Sequence, residues 1–276
     1  MSLKQDSSGR VHIDSPLMAE SLIDKQLLAD TDTDQVFRPL PDLNVIKLGG
    51  QSIIDRGASV VRPLVEEIVQ TRADHQLLVT TGGGTRSRHA YAIALDLEMP
   101  TGVLARLGSS ISRQNALMIA MLLAPYGGVQ ISHDDAVKIP GYLLTGAIPV
   151  MPAMPPYSLW EEPPAAGRIP PHRTDAGAFL TAEVLGARRC ILVKDEDGLF
   201  TADPKKDNNA DFLPEIEVGE LLALDLNDLP VERAMLKALA KARSVKEIFL
   251  VNGRQPGNLT RALNGENPGT RIFKKE

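Results

Sequence analysis

Between Arg173 and Pro204 the chain sets out one complete α/β unit, and this unit limits the possible folds more than any other stretch. Thr174 is a favoured N-cap residue, and Asp175 falls in the first helical turn, beside the positive end of the dipole. Gly186 is a common helix stop. Cys190-Ile191-Leu192-Val193 is then an unbroken apolar run, which fits a strand buried on both faces of a parallel sheet. Asp197-Gly198 turns the chain after it. An acidic helix start and an acidic loop thus lie at loop ends of one unit, where open sheets place their ligands.

The rest of the chain supplies neighbours for that strand. Strands are expected at Asn44–Leu48, Gln76–Thr81, Val129–His133, Ile148–Met151, Lys246–Asn252 and Gly269–Ile272. Helices are expected at Ala58–Arg72, Ala90–Leu97, Leu104–Ala124, Glu217–Leu224, Val231–Ala242 and Leu259–Leu263. In Ala58–Arg72, Val61, Leu64, Val65, Ile68 and Val69 recur at helical spacing. This alternation predicts an α/β protein: a three-layer α/β/α sandwich with a mainly parallel central sheet, one domain over 43–276. Residues 1–42 are polar and acidic and read as an arm, with a short helix at Leu17–Ile23. The arm is either mobile or packed on a neighbouring subunit.

Bulk properties narrow the function. A net charge of -5 over 276 residues argues against a nucleic-acid surface. No apolar run approaches the roughly 20 residues that span a bilayer, and the N-terminus shows no signal-peptide core, so a cytoplasmic protein without membrane partners is expected. A single cysteine excludes a disulfide framework and a thiolate metal cluster, and Cys190 reads as a small core residue.

Two glycine turns follow two strands. Lys47-Leu48-Gly49-Gly50 ends the first, and Gly82-Gly83-Gly84 ends the second, running into Arg86, Arg88 and His89. Backbone N–H groups in such turns cradle phosphate oxygens, and lysine adds a mobile point charge. The spacing is not that of a Walker loop, because no Gly-Lys-Ser/Thr follows. Together the turns suit a nucleoside triphosphate or an oxyanion cluster; a solvated helix face is the other reading of Arg86, Arg88 and His89. Prolines from Pro152 to Pro171 forbid regular structure through most of that stretch, while Met154, Tyr157, Leu159 and Trp160 give it apolar material. It delivers His172 and Arg173 onto Asp175. His172 fits an anion contact, a metal ligand or a packed loop residue. The methionines Met118 and Met121 read as core or interface.

These motifs, in this order, resemble the amino acid kinase superfamily over about residues 43–273, and bacterial uridylate kinases in particular. The resemblance implies that Lys47, Gly49, Gly50, Gly82, Gly83, Gly84 and Arg86 hold phosphates. Asp175 would order the phosphate-side lysines, making Lys47, Asp175 and Lys194 the catalytic set. ATP would sit between the Lys47 turn and the loop of Asp197, Gly198, Phe200, Asp203 and Pro204, with Phe200 on the adenine side. Three departures stand out. Ala105 occupies the place of an aspartate that contacts the nucleoside monophosphate, Arg173 replaces a threonine, and Lys194 stands where threonine is usual. The acceptor side is thereby more cationic.

The molybdenum storage protein family is similar over more of the chain. Similar text runs through Gly49-Gly50-Gln51-Ser52, Asp55-Arg56-Gly57, Leu107-Gly108-Ser109-Ser110, Gln114-Asn115 and Met154-Pro155-Pro156-Tyr157. It continues through Ile169 to Asp175, at Val193 to Gly198, and in part of the arm. This resemblance implies a cage-like hexamer, homomeric or built with a related subunit, that uses ATP and Mg²⁺ to load molybdate or tungstate as polyoxometalate clusters. Where part of that family carries a histidine-rich stretch, this chain has Ser158-Leu159-Trp160-Glu161-Glu162. His133 and His172 are therefore the candidate metal contacts. A uridylate kinase transferring phosphate from ATP to UMP is the alternative reading, and a non-catalytic nucleotide-binding scaffold the third.

Overall fold

The computed structural model describes residues 3–13, 36–156, 169–202, 204, 206–207 and 209–275. The expected helix at 17–23, the apolar residues Tyr157, Leu159 and Trp160, and Asp203 lie outside the described residues. Contacts divide the chain into two compact units, 1–36 and 37–276. In the first, β1 (Leu3–Gln5) and β2 (Val11–Ile13) form an antiparallel hairpin. Its turn is tied by Asp6, whose Oδ1 accepts from the amides of Ser8 at 2.9 Å and Arg10 at 3.0 Å.

In the second unit, β3 (Leu43–Leu48) leads through α1 (Ala58–Thr71) to β4 (Gln76–Thr81). Helices α2 (Thr85–Asp96) and α3 (Thr101–Leu123) follow, then β5 (Gly128–Gln130), α4 (Ile139–Leu144) and β6 (Ile148–Pro152). Next come α5 (Thr174–Val184), β7 (Arg189–Lys194), β8 (Leu199–Phe200), β9 (Phe212–Leu213) and β10 (Glu215–Glu217). The chain closes with α6 (Val218–Ala223), α7 (Arg233–Lys241), β11 (Glu247–Asn252), α8 (Asn258–Leu263) and β12 (Thr270–Phe273).

The main sheet has the order β10-β12-β11-β7-β3-β4-β6-β5. Its six strands from β11 to β5 are mutually parallel, whereas β12 is antiparallel to β11 and β10 is parallel to β12. Strand β3 sits between β7 and β4 and brings Lys47 level with Leu192 and Thr80. One sheet face presents Leu43, Val45, Cys190 and Leu192 to Phe179 of α5, Leu221 of α6 and Leu236 and Leu239 of α7. The other presents Ile46, Leu48, Ile191 and Val193 to Leu64 and Ile68 of α1, Ile119 of α3 and Leu259 of α8. These are the expected three layers. Each fully buried Leu, Ile or Phe contributes about 1.5–3 kcal/mol, so the strand alternation fixes which residues can face the site.

Some elements depart from expectation for local reasons. The strand expected to reach His133 stops at Gln130. Ser132 starts a tight helical turn over His133–Lys138 instead, through a capping box in which Asp135 accepts back from the Ser132 amide. Helix α2 starts at Thr85, five residues before Ala90, because Gly84 at φ 77° turns the chain directly into it. Among the described residues no helix is long and apolar enough to cross a membrane.

Candidate functional site

After β3 the chain crosses to β4, β6 and β5 on one side, then returns to β7 on the other. The reversal falls at the carboxyl ends of β3 and β7, the position where such sheets usually form a ligand crevice. Lys47 is the penultimate residue of β3 and Lys194 the last of β7. The period of two points both toward the α5 face. There they meet Asp175 in the first turn of α5. Lys47 Nζ lies 2.7 Å from Asp175 Oδ1, and Lys194 Nζ lies 2.6 Å from Oδ2. Lys194 also donates to the Pro230 carbonyl.

Asp175 and Lys47 are buried, Asp175 to 3% exposure, and Lys194 is partly buried. Burial alone would push the Asp175 carboxyl upward, but Lys194 and Lys47 outweigh it and hold the group well below the usual carboxylate range. Burial pulls the Lys194 ammonium downward, and repulsion from Lys47 adds to this, while Asp175 opposes both. Two cations on one anion leave a positive charge facing the crevice, a suitable partner for phosphate or another oxyanion.

The start of α5 corrects the sequence reading. Thr174 is the first helical residue rather than the cap, and Arg173 at the N-cap position makes no side-chain cap. The orphan amides are satisfied from a distance by Glu232, just ahead of α7. Its carboxylate accepts from Arg173 N at 3.0 Å, Asp175 N at 3.1 Å and Ala176 N at 3.1 Å. Burial raises the Glu232 carboxyl, Asp175 raises it further, and Arg173 and the amides pull it back. The approach of α5 to the sheet depends on Gly177, where a Cβ would lie 1.8 Å from the Ala153 carbonyl oxygen.

The two glycine turns meet backbone to backbone. A Cβ on Gly50 would lie 2.1 Å from Gly84 N, and one on Gly82 would lie 2.6 Å from Gly50 N and 3.4 Å from Lys47 Nζ. The turns are tied by Gly49 N to Val193 O and Gly82 N to Leu48 O, both 2.9 Å. Asn115 of α3 donates to the carbonyls of Gly82 at 2.6 Å and Gly83 at 3.1 Å. Arg86 in turn donates to Gln114 Oε1 at 3.0 Å and to Asn115 Oδ1. The structure therefore brings Arg86 to the second turn, held by side chains of α3, while Arg88 and His89 are exposed on α2. The first amide of α2, Thr85 N, donates at 2.6 Å to Asp55 Oδ2 from the 3-10 turn Ile54–Arg56.

The loop after β7 is fixed by its own contacts. Asp197 Oδ1 accepts from Asn252 Nδ2 at 2.7 Å. Gly198 packs where a Cβ would lie 2.3 Å from Thr270 Oγ1, and Leu199 N donates to that same oxygen at 2.7 Å. Phe200, half-buried, tilts against Phe212 with centroids 5.4 Å apart. Pro204 is exposed. Arg56 pairs with Asp195, linking the exit of the first glycine turn to this loop.

His133 opens the tight turn after β5, and His172 lies three residues ahead of Asp175. His133 is half-buried, and burial lowers its imidazole while Asp134 raises it. His172 is exposed, ahead of α5. Among the described residues no group of three or more His, Cys, Asp or Glu side chains could hold a metal ion. Burial, then Asp175, pushes the Cys190 thiol up to about 12, which suits an inert core residue.

The donor set thus fits a polyphosphate: glycine backbone that any Cβ would fill, over two lysines. It does not fit a protein-built Mg²⁺ site, because both oxygens of Asp175 are taken by lysines. Sequence reasoning missed Glu232, Asn115 and Asp55. The available signals were Glu232 beside the helix that becomes α7, and Asp55 and Asn115 in the text shared with relatives.

Comparisons with known proteins identify the family and the fold. The amino acid kinase family model matches residues 42–252. The chain is 49% identical over 266 residues to the molybdenum storage protein subunit beta of Azotobacter vinelandii, covering 96% of this chain and 98% of that protein. It is 30% identical over 230 residues to the uridylate kinase of Methanothermobacter thermautotrophicus, covering 80% and 95%. In structure it matches the uridylate kinase of Archaeoglobus fulgidus with a TM-score of 0.66 at 23% identity, over 83% of this chain and 99% of that one, a likeness of fold.

Proposed function

We propose that this chain, which belongs to the amino acid kinase family and within it resembles the molybdenum storage proteins, binds ATP and stores molybdate or tungstate as oxometalate clusters. The observation that carries the reading is the paired Lys47–Asp175–Lys194 group beside two glycine turns, in a chain 49% identical to a storage-protein subunit along nearly its whole length. That relative is by name one subunit of an assembly, which supports an oligomer with a related subunit; we take a hexamer, with itself or such a partner, as the state to test.

In this reading the triphosphate lies across Gly49, Gly50 and the two lysines, and its base lies toward Phe200. Lys47 and Lys194 offset charge on the transferred phosphoryl group, and Asp175 holds them in place. This is electrostatic positioning of the kind that dominates phosphoryl transfer. Mg²⁺, if carried by the phosphate oxygens, would supply further charge neutralisation there. Arg86, in its Asn115 bracket, borders the second turn, where the oxyanion would collect.

The test is metal content. Purified protein is incubated with ATP, Mg²⁺ and molybdate or tungstate, passed over gel filtration and analysed by mass spectrometry. Many metal atoms per chain in a hexamer-sized peak are expected. Metal at the level of a desalted control would overturn the storage reading.

A second reading, transfer of phosphate to UMP, is favoured by the loop at Asp197–Phe200, which Asn252 and Thr270 hold in place. Ala105 argues against it, since it is fully buried on α3 and offers no carboxylate. A coupled ADP-release assay with UMP separates the two.

A further inference from the structure

Glu232 belongs to none of the motifs that mark the site, yet the segment around it touches two members of the lysine group, Lys194 and Asp175. Pro230 accepts from Lys194 Nζ, Val231 is buried in the core, and Glu232 accepts from three amides at the start of α5. Glu232 is itself 7% exposed. Arg173 Nε stands 3.7 Å from its Oε1. We propose that Glu232 is the positioning residue of the phosphate site, holding the first turn of α5 so that the two oxygens of Asp175 present Lys47 and Lys194 as a fixed cation pair. This rests on the nucleotide-binding reading above.

The chemistry of the cap supports a role beyond ending a helix. Three converging N–H groups need an acceptor with several lone pairs at two positions, which a carboxylate supplies and a serine or threonine hydroxyl does not. The carboxylate also occupies the positive end of α5, so an incoming phosphate is directed to the lysines instead. Counting formal charges, Lys47, Lys194 and Arg173 oppose Asp175 and Glu232, leaving one net positive charge. Replacing Glu232 with a neutral residue adds a second.

That arithmetic separates positioning from simple support. A neutral residue at 232 leaves a more cationic site, so ATP binding is kept or tightened. The rate falls because Asp175 no longer holds both amines in one geometry. A merely structural cap would lose binding and rate together.

The experiment uses the full chain in three forms: wild type, Glu232→Gln and Glu232→Asp. ATP affinity is read by calorimetry and ATP turnover is measured with Mg²⁺ and molybdate. Competitive acetylation of Lys47 and Lys194, without nucleotide, is read by mass spectrometry. For Glu232→Gln, turnover is expected to fall about 10–100-fold with ATP affinity within about threefold of wild type or tighter, as for a misplaced catalytic geometry. Acetylation of the two lysines should rise about fivefold, on the order of one lost net hydrogen bond. Glu232→Asp keeps the charge with a shorter reach and should fall between. Wild-type turnover and labelling in Glu232→Gln, or parallel loss of affinity and rate, would overturn the proposal. If Glu232→Gln does not fold, Glu232→Asp decides: labelling equal to wild type overturns the proposal, and raised labelling supports it. If wild type neither binds nor turns over ATP, the nucleotide reading falls, while acetylation still decides whether Glu232 holds the lysines.

Discussion

Two helix starts face the crevice, and both borrow a carboxylate from elsewhere in the chain. At α5, Glu232 is buried and takes three amides. At α2, Asp55 is exposed and takes one, Thr85 N. The α5 end is therefore a closed ionic lattice whose pieces hold one another, and its job is to fix charge before a ligand arrives. The α2 end is open to water, and its single bond is one that an arriving anion can replace. On the proposed function, rigid charge on one side would hold the triphosphate and exchangeable contacts on the other would receive the oxyanion.

The sharpest way to break this contrast is to remove the centre of the closed side. Asp175→Asn leaves one buried and one partly buried ammonium group facing an amide. Breaking a buried ion pair in this way costs about 3–5 kcal/mol, to be read by urea unfolding. ATP-dependent metal retention should vanish with it. A loss below about 1 kcal/mol would mean that the lattice contributes no more than a surface pair.

Next in size is the seam between the two turns. Gly50→Ala drives a methyl group onto the Gly84 backbone, 2.1 Å from its nitrogen. Backbone has to move, so about 1–3 kcal/mol is expected, together with weaker ATP binding by calorimetry. Unchanged affinity would place the phosphates elsewhere.

The pH response distinguishes the two carboxylates within the closed side. Asp175 titrates below its unfolded value near 4, so its contribution is present above about pH 4 and lost as pH falls through the folded value. Glu232 is raised, so its contribution is present below about pH 4.3 and lost as pH rises through the folded value. Unfolding free energies of Glu232→Gln across pH 3–8 should therefore keep the acid-side fall and lose the decline above about pH 4.3. A curve parallel to wild type would contradict the assignment.

The smallest effect belongs to the open side. Asp55→Ala removes one exposed cap and should cost about 0.5–1 kcal/mol. It should leave ATP affinity unchanged, and oxyanion loading should be kept or improved. Lost ATP affinity would show that the two sides are not separate.

The sequence revealed these parts unequally. Strands β3, β4, β6, β7 and β11 were legible to within a residue, because buried parallel strands are continuous apolar runs. Lys47 and Asp175 could be noticed at the end of a strand and the start of a helix, but it was the resemblance to the amino acid kinases that joined them with Lys194 as one set. Glu232 could not, since its partner amide at Asp175 is 57 residues away and no local pattern announces a cap supplied across the fold. The hairpins β1–β2 and β8–β9 escaped for a different reason: strands of two or three residues carry no measurable periodicity.

The most direct measurement of the central claim is a structure of the protein with a non-hydrolysable ATP analogue and Mg²⁺. The account predicts the triphosphate over Gly49 and Gly50, with Lys47 and Lys194 on its oxygens and Glu232 still on the start of α5. Phosphates seated at the start of α2 with Asp55 displaced, and the lysines still turned onto Asp175 alone, would contradict it.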